Sequence, residues 1–170
     1  MLEKQILLVH RQNTVQIHYR LVEGEGPLRL WLQPSLHFRP HDAPVSAKLP
    51  ARHVLTAVEG RYEISDSSDL PPLRLMLHGP HAALTLEASR SPLILYRVEA
   101  SRGYDSTGEL WSPGYFRIDL AKGQTATLVA STEPWEEIQA LRPAEAEQAE
   151  RVRLNRLVAQ APPEARIGLA

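Results

Sequence analysis

The sequence predicts a mainly β fold, an antiparallel β-sandwich with one or two helices at its carboxyl-terminal end. Three observations carry this expectation. Apolar residues recur at every second position in short runs up to Ser131. Turn-forming clusters such as Glu23-Gly24-Glu25-Gly26-Pro27, Asp66-Ser67-Ser68-Asp69 and His78-Gly79-Pro80-His81 separate those runs at the spacing of antiparallel sheets. Beyond Thr132 the apolar period lengthens to that of a helix. Residues 1–132 are thus expected to form the sandwich, residues 133–161 a helical segment and residues 162–170 a tail.

The elements follow in order. Residues 5–10 are an apolar run that stops at Arg11-Gln12-Asn13, after which Val15, Ile17 and Tyr19 alternate, so the two runs predict a hairpin. Leu28, Leu30 and Leu32 give the next strand an aliphatic face. Trp31 lies on the opposite face and is expected to be covered by a second layer. Prolines recur through residues 34–50 and the alternation fades, which reads as a crossing between sheets. Residues 61–65, 73–77 and 83–88 are further strands, and residues 92–96 have the content of a buried one. Residues 115–120 and 125–131 complete the sheets. Thr132 is expected to cap the first helix, with Glu133, Glu136 and Glu137 favoured by its dipole. Pro143 opens the second helix, on which Leu154, Leu157, Val158 and Ala161 form an apolar stripe that must bury, and Glu147 can pair with Arg151. Pro162-Pro163 ends it.

Bulk properties exclude several function classes. A chain of 170 residues suits one domain with one core, and 43% hydrophobic with 23% charged residues is ordinary for a soluble protein. A net charge of -1 provides no field for nucleic acid, so no nucleic-acid partner is expected. With 0 cysteines there is no disulfide framework, thiolate nucleophile or cysteine-based zinc site, which fits the cytoplasm. No apolar run approaches the ~18 residues that span a bilayer and no secretory leader is read, so no membrane partner is expected.

Residues 97–116 concentrate charge, aromatics and turn formers, and are expected to be a long loop held between two strands. Their central motif, Arg102-Gly103-Tyr104-Asp105 and then Glu109-Leu110-Trp111-Ser112-Pro113-Gly114-Tyr115-Phe116, resembles the amino-terminal domain of the bacterial and archaeal type of glycogen debranching enzyme (amylo-α-1,6-glucosidase). Asn13-Thr14-Val15 with Tyr19, Pro34 with Arg39 and His41, and Ala130-Ser131-Thr132-Glu133-Pro134-Trp135 fall in the same order as in that family. The resemblance runs from Leu2 to Leu141, and the sandwich looks like the later half of the family's domain. It implies a β-supersandwich packed on an (α/α)6 barrel that holds the acid and base cleaving the α-1,6 branch. The barrel of the same parent enzyme and α-glucan become the expected partners, with the helical segment packing on the sandwich or leading to the barrel. Self-association of the isolated chain is expected as well, because part of a supersandwich leaves a sheet face or edge uncovered.

Within this frame Arg102, Tyr104, Asp105, Glu109 and Trp111 are the candidates for contact with substrate or interface. No catalytic residue is assigned. Glu99, Asp105 and Glu109 are the dense carboxylates outside the helices, but a glycosidase pair needs two carboxyls flanking a sugar-sized cleft. Arg97 and Arg102 are expected to hold Glu99 in salt bridges, and Arg102 to pair with Asp105 across Gly103. Trp111 is open between a core plug and a sugar-stacking residue, whereas Tyr115 and Phe116 are expected in the core. His37, Arg39 and His41 would share one face of an extended segment, but two imidazoles make an incomplete metal site, so neither metal nor cofactor is assigned. The leading function is a non-catalytic domain that supports or positions the glucosidase barrel and its glucan; the alternative is a stand-alone carbohydrate-binding or scaffold module.

Overall fold

In the computed structural model, which describes residues 1–160, the alternating runs become antiparallel strands. β1 (Leu2–Leu8) and β2 (Thr14–Leu21) form the first hairpin, with Ile6 opposite Ile17 and Leu8 opposite Val15. β3 (Leu28–Leu32), β4 (His53–Val58), β5 (Arg61–Asp66), β6 (Leu73–His78) and β7 (Ala83–Leu95) follow. A short helix α1 (Arg97–Ser101) precedes β8 (Thr107–Leu120) and β9 (Thr125–Ser131), and α2 (Trp135–Ala140) and α3 (Pro143–Gln160) come last. The strands form a six-stranded sheet of order β1-β2-β9-β6-β5-β4 and a three-stranded sheet of order β3-β8-β7. The mainly β, antiparallel architecture expected from the alternation is therefore present. No helix among the described residues is long and apolar enough to cross a membrane.

The core lies between the two sheets. Phe116 from β8 meets Ile64, Leu75 and Leu128, and Ile118 and Leu120 meet Leu21 and Ala126. The aliphatic face of β3 joins both clusters through Leu28, Leu30 and Leu32, as its alternation requires. The other face of the six-stranded sheet is polar yet buried. Thr14 and Ser131 share a hydroxyl hydrogen bond of 2.7 Å, and His18 Nδ1 lies 2.9 Å from Thr127 Oγ1. Over this face α3 packs Ala146 against Leu7 and Val9, with Leu141 beside them.

Several elements depart from the sequence reading. Residues 97–116 are not one long loop: α1 takes the first turn, and β8 starts at Thr107 and absorbs Glu109 to Phe116. Pro113 and Gly114 are accommodated because the β7–β8 register shifts between Leu86 and Ser89, leaving a bulge where a missing N–H breaks no ladder pair. Gly114 sits there at φ 138°, and a Cβ on it would lie 2.0 Å from the Thr85 carbonyl oxygen. The stretch at residues 92–96 continues β7, but Leu93 and Leu95 are 80% and 59% exposed, not buried, because a second register shift between Ser91 and Ile94 breaks the strand's alternation. β4 has no counterpart among the expected strands.

Trp31, expected under a second layer, is 61% exposed, since the three-stranded sheet has nothing packed on that face among the described residues. Tyr115 is half-buried on the same outer face and stacks on Trp31, whereas Phe116 is fully buried as expected. Thr132 does not cap α2, because its own N–H is still bound to the Asn13 carbonyl at the end of the β2–β9 ladder; Pro134 holds the cap position. On α3 Leu154 and Leu157 stay about half exposed, so the expected stripe is not buried; the helix meets the sheet through its first turns. Arg151 bonds Gln148 rather than Glu147, which lies close enough to His18 to bias its charge. Ala161 and Pro162-Pro163 lie outside the described residues.

Candidate functional site

Two segments remote in sequence meet at one end of the sandwich. The connection at residues 33–52 folds back over the start of β8, and Val45 is buried there. Gly108 makes this possible: a Cβ at that position would lie 2.2 Å from the Val45 carbonyl oxygen, so only glycine lets the two backbones touch. Ser46 then donates to Asp105 Oδ2 at 2.7 Å, tying the connection to the turn that follows α1. That turn is set by Gly103 at φ 77° and by the Tyr104 N–H, which bonds the Glu99 carbonyl at 3.1 Å.

Between the two segments lies an open cavity of about 580 Å³ lined by Arg39, His41, Asp42, Glu99, Tyr104 and Asp105, among others. Arg39 is fixed by donating to the Ala43 carbonyl within its own segment. Three carboxylates, one guanidinium, one imidazole and a phenol ring thus surround a space of ligand-site size. The lining offers hydrogen-bond acceptors and donors side by side with an aromatic surface, and Tyr104 is 67% exposed at its rim. Such a lining suits a polyhydroxylated ligand or a polar protein surface.

The five contact candidates are divided by the fold. Tyr104 and Asp105 line the cavity. Arg102 ends α1, with its N–H on the Val98 and Glu99 carbonyls, and its exposed side chain does not line the cavity. Glu109 is exposed on β8 and borders a smaller groove with Ser46, Lys48 and Leu93. Trp111 stands in the wall of the core: its ring stacks on His53 at 3.9 Å and 3°, and its backbone pairs with Leu36. The salt bridges expected of Glu99 with Arg97 and Arg102, and of Arg102 with Asp105, are not formed among the described residues. Arg97, Arg102 and Asp105 are exposed and Glu99 is half-buried beside the open cavity, where an ion pair gains little, and Asp105 is held by Ser46 instead.

The histidines also separate. His41 lines the cavity, while His37 is half-buried elsewhere with neither ring nitrogen hydrogen-bonded, and burial followed by the Arg39 charge holds its pKa below the usual range. Among the described residues no group of three or more His, Cys, Asp or Glu side chains could hold a metal.

Two features escaped the sequence reading. The first is that Arg39, His41 and Asp42 complete the wall opposite Glu99; their order along the chain was legible, their meeting was not. The second is a clamp at the exit of β9. The Asn13 N–H bonds Glu133 Oε1 at 2.9 Å, and Arg74 bonds Glu63 at 2.8 Å and the Glu133 carbonyl at 2.9 Å. The motif pieces Asn13-Thr14 and Ser131-Thr132-Glu133 are thus one structural joint.

A family model described as "Glycogen debranching enzyme N terminal" matches residues 1–127. Comparison with curated proteins and with solved structures returns no match.

Proposed function

Because the chain belongs to the glycogen debranching enzyme N-terminal family, we propose that it is a non-catalytic domain that supports an α-1,6-glucosidase barrel and helps position the α-glucan. The observation that carries the reading is the cavity at Glu99, Tyr104 and Asp105. Residues of the family-like central motif that the core does not need are displayed together at one end of the sandwich, where a neighbouring domain or a glucan chain can reach them. The exposed Leu154 and Leu157 on α3 add a second surface suited to a neighbouring domain.

The setting of the carboxylates supports a non-catalytic role. A glycosidase general acid needs a carboxyl in apolar surroundings, whereas the half-buried Glu99 and the exposed Asp105 both face an open cavity with a largely polar lining. The cysteine-free composition agrees with a cytoplasmic site of action.

The test adds this chain in trans to a separately produced debranching barrel. Debranching of a limit dextrin is expected to rise with the native chain and to rise several-fold less with the double variant Tyr104→Ala/Asp105→Ala, which should melt like the native chain. The chain alone should release no glucose. Turnover by the chain alone, or no response of the barrel to it, would remove the proposal.

The second reading, a stand-alone carbohydrate-binding module, draws on a different observation. Trp31 and Tyr115 stack at 4.5 Å and 7° on the outer face of the three-stranded sheet, with Trp31 largely exposed. Retention of the chain on an amylopectin gel, lost in Trp31→Ala and unaffected by Tyr104→Ala, would favour it.

A further inference from the structure

The two layers of the sandwich differ in width. A six-stranded sheet faces a three-stranded one; residues of β4, β5, β6 and β9 pack with the narrow sheet, and the β1 edge of the wide sheet projects beyond it. The uncovered part is identifiable from side chains. Leu2, Lys4, Ile6 and Leu8 of β1 pair with Leu21, Tyr19, Ile17 and Val15 of β2 and point to the inner face, because Leu7 on the alternate face packs against α3. Leu21 and Tyr19 reach the core, but Ile6, Leu8, Val15 and Ile17 belong to neither inner cluster, and Ile6 and Leu8 are 60% and 73% exposed. The nearest strand of the opposite layer is β3, whose Leu28 and Leu30 pack with Leu21 and Tyr19. Among the described residues β3 pairs only with β8 and β1 only with β2, so an open strand edge borders the apolar face in each layer.

We propose that this face binds a second copy of the chain, in a two-fold dimer where the β1–β2 overhang of one copy packs on that of the other. The shape argues for a second copy in particular. Each copy leaves open a wide sheet in one layer and a narrow sheet in the other. Turning a second copy about an axis between the layers, near β2, places the partner's wide sheet beside the first copy's narrow one. Each layer then holds one wide and one narrow sheet side by side, with β1 of each copy abutting β3 of the other. The contact is isologous and closes on itself, whereas stacking through one edge would propagate.

Size and charge agree. The β1–β2 overhang, two strands wide and about seven residues long, measures roughly 10 by 24 Å, or about 230 Å² of projected face per copy. Side-chain relief and the two abutting edges add to this, giving a contact below the ~800 Å² per partner of a standard interface and of the size of a weak, concentration-dependent dimer. Lys4 points inward on the edge strand with its ammonium 5.8 Å from the Tyr19 ring centroid, which obstructs open-ended strand addition along β1 and leaves the apolar stretch at Ile6 and Leu8 for a closed contact.

Light scattering and sedimentation across the micromolar range test the dimer. The native chain should approach twice its 19.1 kDa, and Ile6→Thr/Leu8→Thr should shift the dissociation constant upward at least tenfold. Both side chains are exposed in a single copy and threonine keeps the strand preference, so this variant should fold; Leu93→Thr, equally exposed on β7, should still dimerise. Amide exchange supplies a second readout, with β1 and β3 more protected at high than at low concentration. A monomer at all concentrations, a dimer indifferent to the Ile6/Leu8 change, or exchange at β1 and β3 independent of concentration would overturn the proposal.

Discussion

Replacing Trp111 by alanine separates the two roles left open for the central motif. The ring is half-buried, stacks on His53 at 3.9 Å, and packs beside the cluster of Ile64, Leu75, Phe116 and Leu128. Truncating a fully buried tryptophan costs about 3–5 kcal/mol, and an aromatic pair adds about 0.5–1.5 kcal/mol. For a half-buried ring the expected loss is about 2–3 kcal/mol. In a chain of this size that lowers Tm by roughly 5–10 °C. The pairing between Trp111 and Leu36 uses backbone atoms alone and survives the substitution, so the loss reports on the ring. Tyr104→Ala, at a side chain 67% exposed, should stay within about 0.5 kcal/mol. Urea and thermal unfolding of both variants, read beside the native chain, make the comparison. Should Tyr104→Ala cost as much as Trp111→Ala, or Trp111→Ala cost nothing, the assignment of Trp111 to the core and Tyr104 to the surface fails.

Two further outcomes follow from the packing. Burial holds the imidazole pKa of His18, His37, His53 and His78 below the usual value of 6.5. The unfolded chain then takes up protons before the folded one does, so stability is full above about pH 6.5 and is lost as pH falls into the window below it. The urea midpoint should fall between pH 7.5 and 5, less steeply in His18→Gln; a flat or rising midpoint would contradict this. Gly114→Ala places a methyl 2.0 Å from the Thr85 carbonyl and 2.7 Å from the Glu87 nitrogen, at φ 138°. It should lose at least about 3 kcal/mol or fail to fold. Gly60→Asn, at φ 78° with nothing near its Cβ, should lose less than about 1 kcal/mol; equal melting of the two variants would refute the close approach at the bulge.

The strands were legible because one face of each packs on the core, and burial on one side enforces a period of two. Where burial follows another rule the reading slipped. In β2 the apolar residues Val15, Ile17 and Tyr19 are only half-buried, while Thr14, Gln16 and His18 on the opposite face are buried. α3 covers part of that polar face, where Thr14 pairs with Ser131 and His18 Nδ1 with Thr127 while His18 Nε2 and Gln16 Oε1 stay without a partner, so hydrophobicity points at the less buried side. β4 was missed for a related reason: only His53, Leu55 and Ala57 face inward at the sheet's edge, and Val54 on the other side is 59% exposed. The bulged β8 was read as a loop because Pro113 and Gly114 are turn formers in most contexts. Only the shifted pairing with β7 shows that they interrupt a ladder without ending the strand.

The cavity itself could not be read from sequence, and the reason lies in its glycines. A site formed by side chains of one element leaves a spacing in that element; this one forms where the backbones of two segments touch, at Gly108 against Val45. Nothing in the run from Arg39 to Val45 signals which part of the chain it will meet. The central motif therefore combines two constraints of different kinds. Trp111, Gly114 and Phe116 are fixed by packing, each with a neighbour that a different side chain would displace or abandon. Tyr104 and Asp105 have no such neighbour in the core, and among the described residues only Ser46 hydrogen-bonds the side chain of the second. A residue that packing does not fix has to be accounted for by what meets it from outside. It is on that ground that the Tyr104 and Asp105 variants, and not the Trp111 variant, carry the test of function.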